Sequence, residues 1–480
     1  MRAMLIFGFL CVGSTSLCAN QEAGPIAVGS RLELFVDDYL VDELNGGARR
    51  KLNRPTPQEV VFVSDRPWEG NILFHVTIFR DDDLYRMYYR GQHFDEATQE
   101  ASEHKVICYA ESDDAIHWRR PELGIHEFNG SKRNNIILDC KSGAARNGAF
   151  AVFKDDNPEC PPESRYKALA LHRKNGNGLY AFHSRDAIRW SLMSERPVIT
   201  EGAFDSHNLA FWDVERGEYR DYHRFFRDGV RDILTATSTD FLKWTDPVPL
   251  EYFSSPIEHL YTNAIRPYHR APHILLGFPK RLLPKRPPIK PHPYSGVSDG
   301  VFMSSRDRVR FTRWSEAFVR PGPQADRWVN RNNFTAWGLI ETPSTMEGAP
   351  NELSIYTTEG YYTGKATRLR RNTLRIDGFV SVEAPLSGGE LLSKPITFTG
   401  ASLVLNFATS AAGGVRVELQ DSGGQPLPGH TLKDCREIYG DALERTVSWR
   451  RGADISGLSG KAVRLRFVLK DADLYSFQFR

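Results

Sequence analysis

The sequence predicts an all-β protein: a five-bladed β-propeller over residues 20–383, followed by an antiparallel β-sandwich over residues 384–480. Three observations carry that prediction. A Ser-x-Asp-x-x-x-aromatic motif recurs four times, as "SDDAIHW" at Ser112–Trp118, "SRDAIRW" at Ser184–Trp190, "STDFLKW" at Ser238–Trp244 and "SRDRVRF" at Ser305–Phe311. Its aspartates, Asp114, Asp186, Asp240 and Asp307, stand 54 to 72 residues apart, too far for a solenoid coil and suited to one four-stranded blade with its loops. Between residues 60 and 380, apolar and polar residues alternate in short runs broken by turn clusters, with no amphipathic helical pattern.

Each motif copy closes a strand-rich run: "VICYAES", "LYAFHS", "ILTATS" and "GVFMSS". Earlier strands precede these, as in "YRMYYRG", "YKALALH", "YRDYHRFF" and "HILLGFP". The motif itself has a mechanical reading. Asp and Ser oxygens accept hydrogen bonds from backbone N–H groups two or three residues on, and the aromatic returns to the core. The four aspartates are therefore turn staples between the last two strands of a blade, and they are not counted as catalytic. A fifth unit lacks the motif but keeps three strand-like runs from Asn332 to Val382. The segment "RLELFVDDYLVD" near the N-terminus is expected to supply its outer strand and close the ring, leaving only short sheet edges. "KRLLPKRPPIKPHPYSG", Lys280–Gly296, reads as a long extended loop in the fourth blade, either walling a cleft or lying on the surface. After about Glu383 the motif stops, and strands such as "ASLVLNFATS" and "KAVRLRFVLKDADLYSFQFR" alternate with Gly, Ser and Asp turns, the pattern of a sandwich.

Composition narrows the function classes. The 480 residues carry a formal charge of +2, which argues against a nucleic-acid or polybasic membrane surface. Arg2, the apolar run Ala3–Val12 and the small residues of "STSLCAN" form a secretory signal with cleavage after Ala19, so the mature chain is expected to be secreted or periplasmic. Four cysteines remain after cleavage. Cys140 and Cys160 are a candidate disulfide pair, and Cys108 and Cys435 read as buried thiols. No metal site is read from the histidines, which do not cluster, and no cofactor is expected; a structural calcium at the axis is left open.

The repeated hairpin, the five blades and the C-terminal sandwich together resemble the invertase and arabinanase type of five-bladed propeller glycoside hydrolase, in a branch of uncharacterised bacterial secreted proteins. "LFVDDYLV", "EHLYTNAIRP", "SDGVFMSSRD" and "LRRNTLRIDGFVSVEA" carry the likeness alongside the motif copies. The resemblance implies an exported hydrolase of glycosidic bonds, with a carbohydrate substrate and paired carboxylates in the funnel. This sequence lacks the Trp-Met-Asn-Asp-Pro-Asn-Gly and Arg-Asp-Pro motifs of that group, and its one Glu-Cys pair, at Glu159–Cys160, sits in a polar loop. Catalytic residues must therefore be sought in the blades themselves.

The innermost strands all begin on polar residues, as a funnel lining would. Glu69 and Asn71 open the first, Arg146 and Asn147 the second, and Asp205, His207 and Asn208 the third. Glu258, His259 and Asn263 open the fourth, and Arg331 and Asn332 the fifth. The bland alternative is that these groups cap strand ends. Glycoside hydrolysis needs one carboxylic acid to protonate the leaving oxygen and a second carboxylate to activate water or attack. Asp205 and Glu258 are the candidate pair, with Glu69 modulating. Arg146, Asn147, His207, Asn208, His259, Asn263, Arg331 and Asn332 are the candidate substrate-binding residues. Rim arginines would also suit a carboxylated or sulfated sugar. Trp68 and Trp337 are candidate stacking faces, and Asp37 and Asp38 are set aside as belonging to the ring-closing strand. The alternatives to hydrolysis are a glycan-binding propeller without catalysis, or a polysaccharide lyase using a neutral base such as His207.

Overall fold

The computed structural model describes residues 24–172, 175–253 and 255–480; the proposed signal segment lies outside them. The described residues contain strands and four short 3₁₀ turns, and no α-helix. The alternation read from the sequence is carried through: along Val463–Phe479, for example, Val463, Leu465, Phe467 and Leu469 are buried while the residues between them are not.

Among the described residues, the ladders of the central region group into five meanders. The first runs Thr77–Asp81, Leu84–Gly91, Val106–Ser112 and Ile136–Asp139. The second runs Ala151–Lys154, Tyr166–His172, Gly178–Ser184 and Ser191–Leu192, and the third Leu209–Asp213, Glu218–Arg227, Val230–Ser238 and Val248–Pro249. The fourth contains Arg266–Tyr268, Ala271–Gly277, Met303–Ser305 and Arg310–Arg313, with Glu251–Phe253 added in parallel at its edge. The fifth contains Thr335–Thr342, Glu352–Glu359 and Arg368–Arg375.

The first strands meet around one axis. Trp337 pairs with Thr77, and its indole N–H donates to the Ile265 carbonyl at 2.9 Å. Thr77 Oγ1 lies 3.3 Å from His207 Nε2, and the Asn147 amide donates to the Phe204 carbonyl at 2.9 Å. Those contacts join all five meanders.

The repeated motif turns the third strand into the fourth, or toward it. Oδ1 of Asp114, Asp186, Asp240 and Asp307 accepts from the backbone N–H groups two and three residues on, at 2.7 to 3.0 Å in every copy. The next residue, Ala115, Ala187, Phe241 or Arg308, has a positive φ of 61° to 77° that the turn imposes. In the last copy, Arg308 reaches inward to form a buried bidentate pair with Asp213 of the third meander, at 2.7 and 3.0 Å.

Two expectations about the N-terminus are corrected. The outer strand of the fifth meander is Thr56–Val63, paired with Arg368–Arg375, and not "RLELFVDDYLVD". That earlier segment joins the C-terminal sheet instead. Glu33–Leu34 pairs with Val463–Phe479, Val41–Gly46 with Gly389–Ser393, and Arg49–Leu52 with Val380–Ala384. Val28, Phe35, Leu40 and Val41 lie in the same core as Phe467 and Phe477. The physical reason is that "LFVDDYLV" buries apolar side chains on both faces: Phe35, Leu40 and Val41 enter the C-terminal core and Leu34 and Val36 the propeller core, while the sparser alternation of Thr56–Val63 suits an edge strand. A division at residue 383 therefore misses the N-terminal share of the C-terminal sheet. Asp37 and Asp38 are ion-paired to Arg306 and Arg50 there.

All four described cysteines are free, so Cys140 and Cys160 do not pair. Cys140 is buried, whereas the partly exposed Cys160 sulfur accepts from the Lys167 ammonium.

Candidate functional site

At the axis, the chain is forced into unusual backbone. His75, Ala264 and Arg331, each just before a first strand, have φ of 53°, 45° and 66°. Such strain in non-glycine residues persists where the surrounding structure over-determines it. It surrounds a tight cavity of about 10 Å³, at the threshold for holding one water, lined by His75, Val76, His207, Thr262, Phe334, Thr335, Ala336 and Thr358. The His75 and His207 rings stack with centroids 5.3 Å apart. Burial pushes His207 down to about 3, and burial together with His207, Arg90, Arg224 and Arg331 holds His75 well below the usual imidazole range. Both histidines are neutral at pH 7. Among the described residues, both His75 nitrogens, Thr335 Oγ1, Thr358 Oγ1 and the nearby Tyr361 hydroxyl are buried without a hydrogen-bond partner.

Beside this cavity lies a packed aromatic cluster, the axial basin, of buried Phe74, Phe94, Tyr261, Phe334, Tyr361 and Tyr362, with half-buried Tyr294 at its edge. Five cations stand on it. Lys280 Nζ is 4.8 Å from the centre of the Tyr261 ring and 4.3 Å from that of Phe334. Arg224 and Arg231 lie 5.3 and 5.7 Å from Tyr261, Arg90 lies 5.1 Å from Phe74, and Arg331 lies 4.0 Å from Tyr294 and 5.1 Å from Tyr362. Each distance is within cation–π range. Gly148 makes room for one of them: its φ is 74°, and a Cβ at that position would collide with the Arg90 side chain.

The fold explains how these residues converge. In an antiparallel meander, the end of strand two and the start of strand three lie level with the start of strand one. Arg90 and Arg224 are near the ends of second strands, and Arg231 is near the start of a third. In the fourth meander the strands break and run on as a separate sheet of His259–Thr262, Lys280–Leu283 and Val297–Gly300, which lifts Tyr261 and Lys280 to the basin. The Pro-rich segment after Leu283 walls the basin. Its Tyr294 packs on Tyr362 at 5.0 Å, and its His292 Nε2 lies 3.2 Å from the Tyr361 carbonyl.

The three candidate carboxylates do not converge. Glu69 is fully buried, accepting from Arg120 at 2.7 and 3.0 Å and from the Tyr89 hydroxyl at 2.5 Å. Glu258 is held by Arg313 at 2.6 Å and by Arg281 at 3.3 Å. Arg281 follows Lys280 on one strand, and successive residues face opposite ways, so Glu258 lies on the face turned away from the basin. Asp205 alone is exposed, and its charge acts on Lys105 and Arg231.

The remaining predicted residues divide in two. Asn147, Asn208 and Asn263 are spent on backbone: the first two donate to the Phe204 carbonyl at 2.9 Å and Asn263 donates to the Tyr222 carbonyl at 3.2 Å. Asn332 Oδ1 accepts from Gly360 N–H at 2.7 Å, and its buried Nδ2 has no partner among the described residues. His207 lines the axial cavity, Arg331 stands in the basin, and Arg146 is exposed, its carbonyl accepting from Lys105 at 2.9 Å. His259 Nδ1 accepts from the Arg231 backbone N–H at 3.2 Å. Trp68 and Trp337 are not stacking faces. Each donates its indole N–H internally, to Asn135 and Ile265, and packs on neighbouring rings. Arg90, Arg224, Arg231, Lys280, Tyr261 and Tyr361 were not foreseen. They lie inside strands or in a segment read as loop, and their signal is the arginine at the axial end of successive strands.

Two larger hollows lie on the C-terminal sheet, but most of their charged residues are committed to ion pairs, such as Arg466–Glu390, Arg464–Asp42 and Lys51–Glu383. Among the described residues, no group of three or more His, Cys, Asp or Glu is arranged to hold a metal ion.

No family model and no curated protein matches this chain. Solved structures similar to it include one described as a glycoside hydrolase (13% identity, TM-score 0.43, covering 66% of this chain and 92% of that one). An N-acetylgalactosamine deacetylase from F. plautii is similar at 11% identity and TM-score 0.42, over 68% of this chain and 96% of its own. A fructofuranosidase from Schwanniomyces occidentalis is similar at 13% identity and TM-score 0.38, over 89% of this chain and 97% of its own. These likenesses are distant, and the site is read from its own side chains.

Proposed function

We propose that the protein is an exported, glycan-acting hydrolase that takes its sugar over the half-exposed rim of the axial cluster, with Asp205 as the carboxylate available to the reaction. The observation that carries this reading is the cluster itself: aromatic rings and cations packed together at the axis, with Tyr294, Arg231, His259 and Arg331 half-buried at its rim and Asp205 exposed beside them. Aromatic rings offer apolar faces to sugar rings, and a few fixed polar groups orient the ligand. Export rests on the N-terminal sequence alone.

With Glu69 and Glu258 committed to arginines, Asp205 acts as the base toward water and the leaving oxygen takes its proton from solvent at the open rim. His259 Nδ1 accepts from the Arg231 backbone N–H, which leaves Nε2–H to donate a hydrogen bond to the sugar. A second reading, glycan binding without hydrolysis, is favoured by that same loss of the paired carboxylates. Reducing-end release from a glycan panel separates the two. Hydrolysis abolished by Asp205→Asn, and retained in Glu258→Gln, supports the first; binding without release in the wild-type protein supports the second.

A further inference from the structure

We infer that the basin recognises its glycan through an anionic substituent on the sugar, a carboxylate or a sulfate. The inference rests on the glycan reading and adds a substrate class to it. Among the described residues, Arg90, Arg224, Arg231, Lys280 and Arg331 form no ion pair with any carboxylate, although elsewhere in the propeller buried arginines such as Arg308 and Arg371 do. Their polar contacts are neutral. Lys280 Nζ donates to Asn330 Oδ1 at 3.1 Å, Arg224 Nε to the Ala203 carbonyl at 2.9 Å, and Arg331 Nη1 to the Tyr362 hydroxyl at 3.2 Å. Arg90 donates to Gln92 Oε1, and Arg231 reaches His259 Nδ1 at 3.5 Å.

These are not surface cations loosely held by water. Lys280 is completely buried, and Arg90 and Arg224 are 8% and 7% exposed. Confining like charges costs free energy unless an opposite charge joins them. The cost registers on Lys280, whose pKa burial and the charges of Arg331 and Arg231 hold well below the usual lysine range. Asp205 is one exposed carboxylate against five cations. Guanidinium groups hold carboxylate and sulfate oxygens in a planar, bidentate way, and several at one hollow fix both the position and the sign of the ligand.

Calorimetric titration of the full chain tests the inference. The probes are a galacturonate oligosaccharide, the same oligosaccharide methyl-esterified, a sulfated galactan oligosaccharide, and neutral arabino- and fructo-oligosaccharides. The expected result is that one of the two anionic probes binds and the methyl ester or neutral probes bind roughly tenfold to hundredfold more weakly. Which anionic probe binds separates carboxylate from sulfate. Arg331→Gln should weaken binding of that probe by a similar factor, and Lys280→Met, which keeps the buried volume, serves as the second variant should Arg331→Gln not fold. Ester or neutral probes bound as tightly as the anionic ones would overturn this inference and leave the glycan reading intact. No binding of any oligosaccharide would overturn both.

Discussion

The four repeated turns and the axial basin both concentrate charge, and they treat it in opposite ways. At the turns, every aspartate is saturated: two backbone N–H groups, a serine hydroxyl and, in two copies, the following arginine all point at it. Arg308 leaves the last turn only to meet Asp213. At the axis, five cations share one aromatic cluster and meet neutral acceptors. Paired charge holds a fold in register. Unpaired, confined charge lowers stability and is retained where a ligand completes it.

That contrast can be broken at either end. The largest expected effect is at the paired end: Arg308→Ala should destabilise the protein by about 3–5 kcal/mol, because Asp213 is left buried and uncompensated. A denaturant midpoint measures it, and a loss below about 1 kcal/mol would remove the pair from the structural account.

The next effect belongs to the axis. Folded His207 takes a proton only below about 3, whereas an exposed histidine titrates near 6.5. Between those values the unfolded chain binds a proton that the folded chain refuses, so stability falls as the pH drops through that window. His207→Gln should flatten the pH dependence of the melting temperature there, and an unchanged slope would place the acid sensitivity elsewhere.

Asp240→Ala removes the side-chain oxygen that accepts from two backbone N–H groups of a single turn and should cost about 1–2 kcal/mol, leaving glycan affinity unchanged. The smallest stability effect is expected from Asp205→Asn. That side chain is exposed and makes no ion pair among the described residues, so unfolding should shift by less than about 0.5 kcal/mol while reducing-end release is lost.

Much of this contrast was legible in the sequence at the paired end. The motif declares its own hydrogen bonds, since Ser and Asp at fixed spacing can do little else, and the turn geometry follows. At the axis, the polar residues before each first strand were visible, and His207 and Arg331 do face the hollow. The asparagines among them follow backbone arithmetic instead: strand ends carry orphan N–H and C=O groups, and a short amide side chain is the cheapest partner. Glu258 misled because its strand begins one residue later, and alternation turns it outward. Lys280 was hidden because the proline-rich text after it obscured a four-residue strand, Lys280–Leu283. The N-terminal pairing was beyond local pattern, because two apolar cores compete for the same kind of segment and only packing decides between them.

The most direct test of the contrast is the thermal midpoint of Lys280→Met beside that of Arg308→Met. Methionine fills a similar volume and contacts the Tyr261 and Phe334 rings without a charge. If the basin cations are unpaired and kept for a ligand, Lys280→Met melts at a higher temperature than the wild-type protein and Arg308→Met melts at a lower one. A fall in Lys280→Met comparable to that in Arg308→Met would mean that Lys280 is a structural cation, and would contradict the account.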